Sequence, residues 1–217
     1  MAAGLIETVG MISKAIPVGE FDKRAELLTM DRGKLSFFAR GARRMGNAFT
    51  GITMPFCYGK FTIYEGRGSY SLHSASISNY FEEIYADVEK TCYGTYFLEM
   101  ASYYAREYSR DPDILKLVYV SLLALSRESI PHELVRRIFE LRLMSSQGEC
   151  SHEPQEPYGR CAYTWNFIRS ASYDKLYSFT VTDEIYVALS GAVDKLLAEN
   201  IDRPIHSLEV LRSMMTI

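Results

Sequence analysis

Apolar and polar positions alternate in one way along the first 80 residues and in another along the rest. The runs Thr8–Ile16, Arg24–Met30, Lys34–Ala39, Cys57–Tyr64 and Ser69–Ile77 are short, rich in β-branched or aromatic residues and divided by turn residues. That is the pattern of β-strands. In the fourth run Cys57, Gly59, Phe61 and Ile63 alternate with Tyr58, Lys60, Thr62 and Tyr64, so one face is apolar and the other is not. Asp31-Arg32-Gly33 is short enough for a tight hairpin, with Gly33 able to take φ > 0. Glu65-Gly66-Arg67-Gly68 joins the last two runs in the same manner. Five short strands favour a closed or nearly closed barrel, because closure removes exposed sheet edges.

From residue 81 the apolar spacing turns helical. Asp87–Ser109 is apolar and aromatic at that spacing, and Asp111-Pro112-Asp113 ends it and opens a second run through Glu128. Pro131 opens a third, His132–Gln147, which Gly148 closes. Thr182-Asp183-Glu184 supplies a cap and an acidic first turn for a fourth helix ending near Asn200, and Ile205–Met214 forms a fifth after Pro204. The Tyr, Leu and Met residues of these helices read as core. Between the third and fourth helices, Glu149–Tyr158 is rich in Pro, Glu, Gly and Tyr, and an apolar segment with the only Trp follows. The fold class expected is α+β: a five-stranded, OB-like β-barrel over residues 1–80, then an all-helical domain over residues 81–217.

Composition changes this picture in one respect. A charged fraction of 24% beside an apolar fraction of 47% is that of an ordinary globular chain, so disorder is not expected. The net charge of −3 conceals an asymmetry. Residues 1–80 carry a net +4 and residues 81–217 a net −7, a basic head on an acidic body. No apolar run reaches the roughly 20 residues of a membrane span, and no leader-like segment opens the chain. A cytoplasmic protein with no membrane partner is expected. The four cysteines, Cys57, Cys92, Cys150 and Cys161, form no C-x-x-C pair, which fits a reducing compartment.

The densest chemistry is cationic. Arg32, Lys34, Arg40, Arg43 and Arg44 fall within thirteen residues with no acid among them, and Gly41 and Gly46 flank the last pair. Such a run can neutralise phosphates and release counterions, and its glycines let the backbone approach a phosphate. A solvated surface loop is the plainer alternative. The polar face of the fourth strand, with Tyr58, Lys60 and Tyr64, can stack bases and hold a nucleic-acid backbone, or simply pack its tyrosines on a neighbour. On the third helix, Arg136, Arg137 and Arg142 stand beside Leu134, Ile138, Leu141 and Leu143. Exposed cations beside an apolar groove can receive an acidic peptide with a hydrophobic anchor. Ion pairing with Glu133 or Glu140 is the alternative that these residues favour.

Enzymatic chemistry finds little support. No phosphate-binding G-x-x-x-x-G-K-[ST] loop, G-x-G-x-x-G turn or H-E-x-x-H helix is present. Cys150, His152 and Cys161 are zinc-type ligands, but their spacing is not that of a zinc knuckle and no fourth ligand is evident. No histidine or carboxylate marks either cysteine as a nucleophile. No metal, no cofactor and no catalytic residue is assigned.

One resemblance gathers these features. Thr8-Val9-Gly10-Met11-Ile12, Gly19-Glu20-Phe21-Asp22-Lys23, Leu28-Thr29, Gly33-Lys34-Leu35, Arg40-Gly41-Ala42-Arg43-Arg44 and Pro55-Phe56 resemble, in order and spacing, the N-terminal domain of the RecO recombination mediators. Phe139-Glu140-Leu141-Arg142-Leu143 and Lys175-Leu176-Tyr177-Ser178-Phe179 agree further on. The resemblance implies an OB-fold barrel, a helical domain and a non-enzymatic role in DNA repair and recombination. It implies binding of single- and double-stranded DNA, annealing of complementary strands and help in loading RecA at gaps. RecR and the C-terminal tail of the single-strand-binding protein are the implied partners, with RecA engaged indirectly, in a cytoplasmic, nucleoid-associated setting. Carried over residue by residue, it marks Lys34, Arg40, Arg43 and Arg44 as DNA contacts and places Arg136 and Arg137 near the tail-binding position. Many relatives carry a four-cysteine zinc module late in the chain. Here, at about residues 148–180, that module reads as degenerate, with Trp165, Phe167 and Ile168 in place of ligands. A protein-interaction scaffold whose barrel does not bind DNA is the alternative function.

Overall fold

The computed structural model describes residues 4–215 except 128, 151 and 156. Five strands, β1 (Gly4–Val18), β2 (Asp22–Thr29), β3 (Lys34–Ala39), β4 (Tyr58–Glu65) and β5 (Tyr70–Asn79), close into a barrel in the order β1-β2-β3-β5-β4. β1 is long enough to serve two neighbours. It pairs antiparallel with β4 through Gly4–Met11 and with β2 through Gly10–Val18, and a bulge between Ile12 and Lys14 bends it across the barrel. The parallel pairing of β3 with β5, at Phe37 and Phe38 against Tyr70 and Ser71, completes the closure. This is the OB-fold barrel that the strand pattern predicts.

The inward positions of each strand fill the barrel. Ile12, Leu27, Leu35, Phe37, Phe61 and Ile63 form its apolar centre, and burial of side chains this size is the main stabilising term. The outward–inward alternation of β4 is the one read from its sequence, with Gly59, Phe61 and Ile63 buried. At Gly33 the hairpin takes φ 62°, and Thr29 closes it: its amide and its hydroxyl both donate to the Gly33 carbonyl at 2.8 Å.

Helices follow: α1 (Phe49–Ile52) between β3 and β4, then α2 (Glu82–Tyr85), α3 (Val88–Tyr104), α4 (Pro112–Ser126), α5 (His132–Ser146), α6 (Ala162–Ser170), α7 (Asp183–Asn200) and α8 (His206–Met215). The chain forms two compact units: residues 1–82 with 101–115, and residues 83–100 with 116–217. Within the second unit Tyr93, Tyr96, Phe97 and Phe139 are fully buried, and the Phe97 and Phe139 rings stack at 4.3 Å. The hydroxyl of Thr182 accepts the Ile185 amide at the start of α7, the cap that its sequence signals. The helix expected over Asp87–Ser109 instead stops at Tyr104. Beyond it Glu107 bridges to Gly33 of the β2–β3 hairpin, and the Arg106 carbonyl and Tyr108 amide also take their backbone partners from that hairpin rather than from another helical turn. The one-turn helices α1 and α2 are too short for a periodic pattern to announce them, whereas α6 is amphipathic, with Trp165 and Ile168 on its buried side.

Candidate nucleic-acid interface

The arginine loop follows β3 directly. Its shape is set by the β1–β2 turn. The Arg43 amide donates to the Phe21 carbonyl at 2.9 Å, the Gly41 amide to Asp22 Oδ1 at 2.7 Å and Arg43 Nη1 to the Gly19 carbonyl at 2.9 Å. The Arg44 guanidinium lies over the Phe21 ring, 4.5 Å from its centre. Arg40, Arg43 and Arg44 are all exposed, and no carboxylate of the described residues forms an ion pair with them. These three cations therefore stand on a braced loop with their charge uncompensated, the arrangement that phosphate neutralisation requires.

The other two members of the sequence cluster lie at the far end of β3. Its six residues hold them roughly 20 Å from Arg40. Lys34 Nζ donates to the Ser102 carbonyl at 2.8 Å and lies 3.9 Å from Glu26, and Arg32 lies 3.6 Å from Asp31. The thirteen-residue run is thus two places, and of its cations only the loop arginines form no ion pair among the described residues. A linear count could not show this, because an extended strand separates residues that a loop would gather.

The β4 face is mixed. Lys60 Nζ pairs with Glu7 at 2.6 Å, so the strip brings no net charge to a phosphate. Tyr64 is 45% exposed, opposite the exposed Leu5, while Tyr58 is half-buried at the start of the strand.

A second aromatic surface, which the sequence pattern does not mark, lies across β2 and β3. A groove of about 780 Å3 is lined by Arg24, Phe38, Glu65, Arg67, Tyr70 and Tyr108 among others. Arg24 and Phe38 face each other across the β2–β3 ladder. The Tyr70 and Tyr108 hydroxyls lie 3.4 Å apart, and Tyr70 also donates to Glu65 at 3.3 Å. The hydrogen bond to Tyr108, then burial, pushes the Tyr70 phenol well above its ordinary value. The strand 2–3 face and the loop between strands 4 and 5 are where OB barrels take oligonucleotides. The one readable signal is Phe38, an aromatic at an outward position of an alternating strand.

The arginines of α5 lie elsewhere and are differently placed. Arg136 is 8% exposed, Arg137 7% and Glu140 0%. Arg136 Nε donates to Glu140 Oε1 at 2.8 Å, Arg137 Nη1 to Glu140 Oε2 at 3.0 Å, and the Tyr96 hydroxyl to Oε1 at 2.6 Å. Asp194 of α7 also takes Arg137 at 2.8 Å. Burial pulls both guanidiniums down, but Glu140 outweighs it, so both are held above their ordinary value. Arg142 donates to the Ile168 carbonyl at 3.0 Å and to that of Arg169. The exposed, peptide-receiving trio that the sequence offers as one reading is corrected here: its first two members are an internal ion-pair cluster.

Comparison with known proteins bears on what this surface serves. A family model described as Recombination protein O N terminal matches residues 1–81, and one described as Recombination protein O C terminal matches residues 85–152. The chain belongs to the RecO family. It is similar to the DNA repair protein RecO of Clostridium perfringens, 26% identical over 240 residues that cover 96% of this chain and 98% of the relative. The DNA repair protein RecO of Alkaliphilus metalliredigens is 30% identical over 148 residues, 68% of this chain and 60% of that protein. That of Acetivibrio thermocellus is 28% identical over 143 residues, covering 66% and 57%. A RecO protein is a DNA repair protein, and the relatives bear no enzyme's name. No helix among the described residues is long and apolar enough to cross a membrane.

The zinc module that the resemblance implies for many relatives has no matching donor set among the described residues. Cys150 and Cys161 are buried, His152 is exposed, and among the described residues no group of three or more Cys, His, Asp or Glu is placed to hold a metal. Burial pushes both thiols up, against the pull of Arg169 and Trp165 on Cys150, which favours the protonated form that neither ligates metal nor attacks as a nucleophile. Cys161 Sγ donates to the Tyr158 carbonyl at 3.2 Å. The Tyr158 ring packs so closely on α7 that a Cβ at Gly191 would lie 2.4 Å from it.

Proposed function

We propose that this RecO protein binds single-stranded DNA through its barrel unit and anneals complementary strands, assisting RecA loading in gap repair without chemistry of its own. The observation that carries the reading is the braced loop on which Arg40, Arg43 and Arg44 stand exposed, with no carboxylate of the described residues paired to them. Annealing needs only that repulsion between two strands be screened and their local concentration raised. Arg32, Lys34 and Lys60, each near an acid, contribute less, as do Arg24 and Arg67, which share their groove with Glu65 and Glu107. Double-stranded DNA offers the same phosphates and is bound through the same loop. RecR and the acidic tail of the single-strand-binding protein remain the partners in this reading. The tail is not received by Arg136 and Arg137, whose guanidiniums are committed to Glu140 and Asp194. In this reading the region at residues 148–180 carries no zinc, and the Tyr158 ring packs on Gly191 there.

The test is annealing of complementary strands, bare and coated with the cognate single-strand-binding protein, by the full chain and by its Arg43→Ala, Arg44→Ala variant. Acceleration by the wild type and its loss in the variant are expected. Absence of both annealing and low-salt DNA binding in the wild type would favour the scaffold alternative.

A further inference from the structure

We infer that the groove between β2–β3 and residues 105–109 is a stacking subsite for a single unstacked base, with Tyr108 as its outer wall; this rests on the proposed binding of single-stranded DNA. Among the described residues, three non-glycines have positive φ: Phe56, Phe81 and Tyr108. Phe56 and Phe81 are each 1% exposed, so core packing accounts for their conformation. Tyr108, at φ 63°, is 70% exposed. Backbone bonds, not burial, hold it there. Its amide donates to the Arg32 carbonyl at 3.0 Å, the Lys34 amide donates to the Arg106 carbonyl at 3.4 Å, and Glu107 bridges to Gly33. Gly33 makes this possible, because a Cβ there would lie 1.9 Å from the Arg106 carbonyl oxygen. A strained backbone that keeps an aromatic ring in water beside a second tyrosine is the kind of feature that clusters at ligand clamps.

The charges select the ligand. Inside the groove Glu65 and Glu107 balance Arg24 and Arg67, so it has no preference for a phosphate. Carboxylates and guanidiniums together do suit the donor and acceptor edges of a base. Ser36 and Phe38 share one face of β3, and Arg40 follows the end of that strand at the start of the arginine loop. A strand whose phosphates follow Arg40, Arg43 and Arg44 can therefore turn a base in between Phe38, Tyr70 and Tyr108. A duplex cannot, since its bases are already stacked.

The probe is an oligothymidine strand compared with a strand of equal length made of abasic sugar-phosphate, each titrated with the full chain at low salt. The wild type should prefer the base-bearing strand by about 5- to 150-fold, the range of one aromatic–base stack. Tyr108→Gly removes the ring while suiting φ > 0; it should lose that preference and keep the wild-type salt dependence. A 2-aminopurine placed in the strand gives a reading independent of any variant, with quenching expected on binding. Equal wild-type affinity for both strands, or unquenched 2-aminopurine, would overturn the subsite and leave backbone binding standing. Full preference retained by a folded Tyr108→Gly would overturn it too. Binding to neither strand would overturn the proposed function and the subsite with it.

Discussion

Arg40, Arg43 and Arg44 on the barrel and Arg136, Arg137 and Arg142 on α5 look alike in the sequence, three cations within a few residues, and they end in opposite environments. On the loop the neighbouring side chains within reach are small, aromatic or already engaged with backbone, and the guanidiniums stay in water. On α5 a glutamate stands four residues after one arginine and three after the next, inside a face that the unit buries. The contrast shows that cation density alone does not make a binding site. What decides is whether the chain supplies the counter-charge itself or leaves it to a ligand.

The largest expected effect lies in the buried cluster. Glu140→Ala leaves two guanidiniums and the Tyr96 hydroxyl without their shared acceptor, and should lower stability by about 3–5 kcal/mol in a urea titration. A loss below about 1 kcal/mol would erase the contrast, since α5 would then hold its arginines no more firmly than the loop does. Gly33→Ala comes next. It meets both the positive φ and the Arg106 carbonyl, and should cost about 1–3 kcal/mol and release residues 105–109, read as faster amide exchange at Tyr108. The smallest effect concerns Glu99. Burial works against its ionisation, but hydrogen bonds from Ser207 and the His206 amide outweigh it and hold its carboxyl below the ordinary value. A depressed carboxyl contributes stability above its unfolded value of about 4.3. That contribution is lost as pH falls through the folded value, so the first turn of α8 should lose exchange protection in acid. Glu99→Gln should show the same loss at neutral pH.

Much of this architecture is legible in the chain itself. Period-two alternation and the turn residues around Gly33 and Gly66–Gly68 mark the barrel strands, because those signals are local. Thr182, Pro112 and Pro131 mark helix starts for the same reason. What escapes is non-local. The parallel β3–β5 pairing rests on two residue pairs, and the return of residues 101–115 to the barrel unit depends on backbone bonds to Arg32 and Gly33 that no periodicity announces. The split of the cationic run by β3, and the arrival of Asp194 at Arg137, are likewise facts of register and packing. The loop arginines are readable, whereas the tyrosine groove beside them is not.

The central claim is that the β3–α1 loop neutralises nucleic-acid phosphates. Its most direct test is the salt dependence of single-strand affinity for the wild type against Arg43→Ala, Arg44→Ala, with stability measured in parallel. The slope of log affinity on log salt should fall by about 1.4, at about 0.7 for each phosphate no longer neutralised, while stability changes by about 1 kcal/mol or less. A slope unchanged in a stably folded double variant would contradict the account.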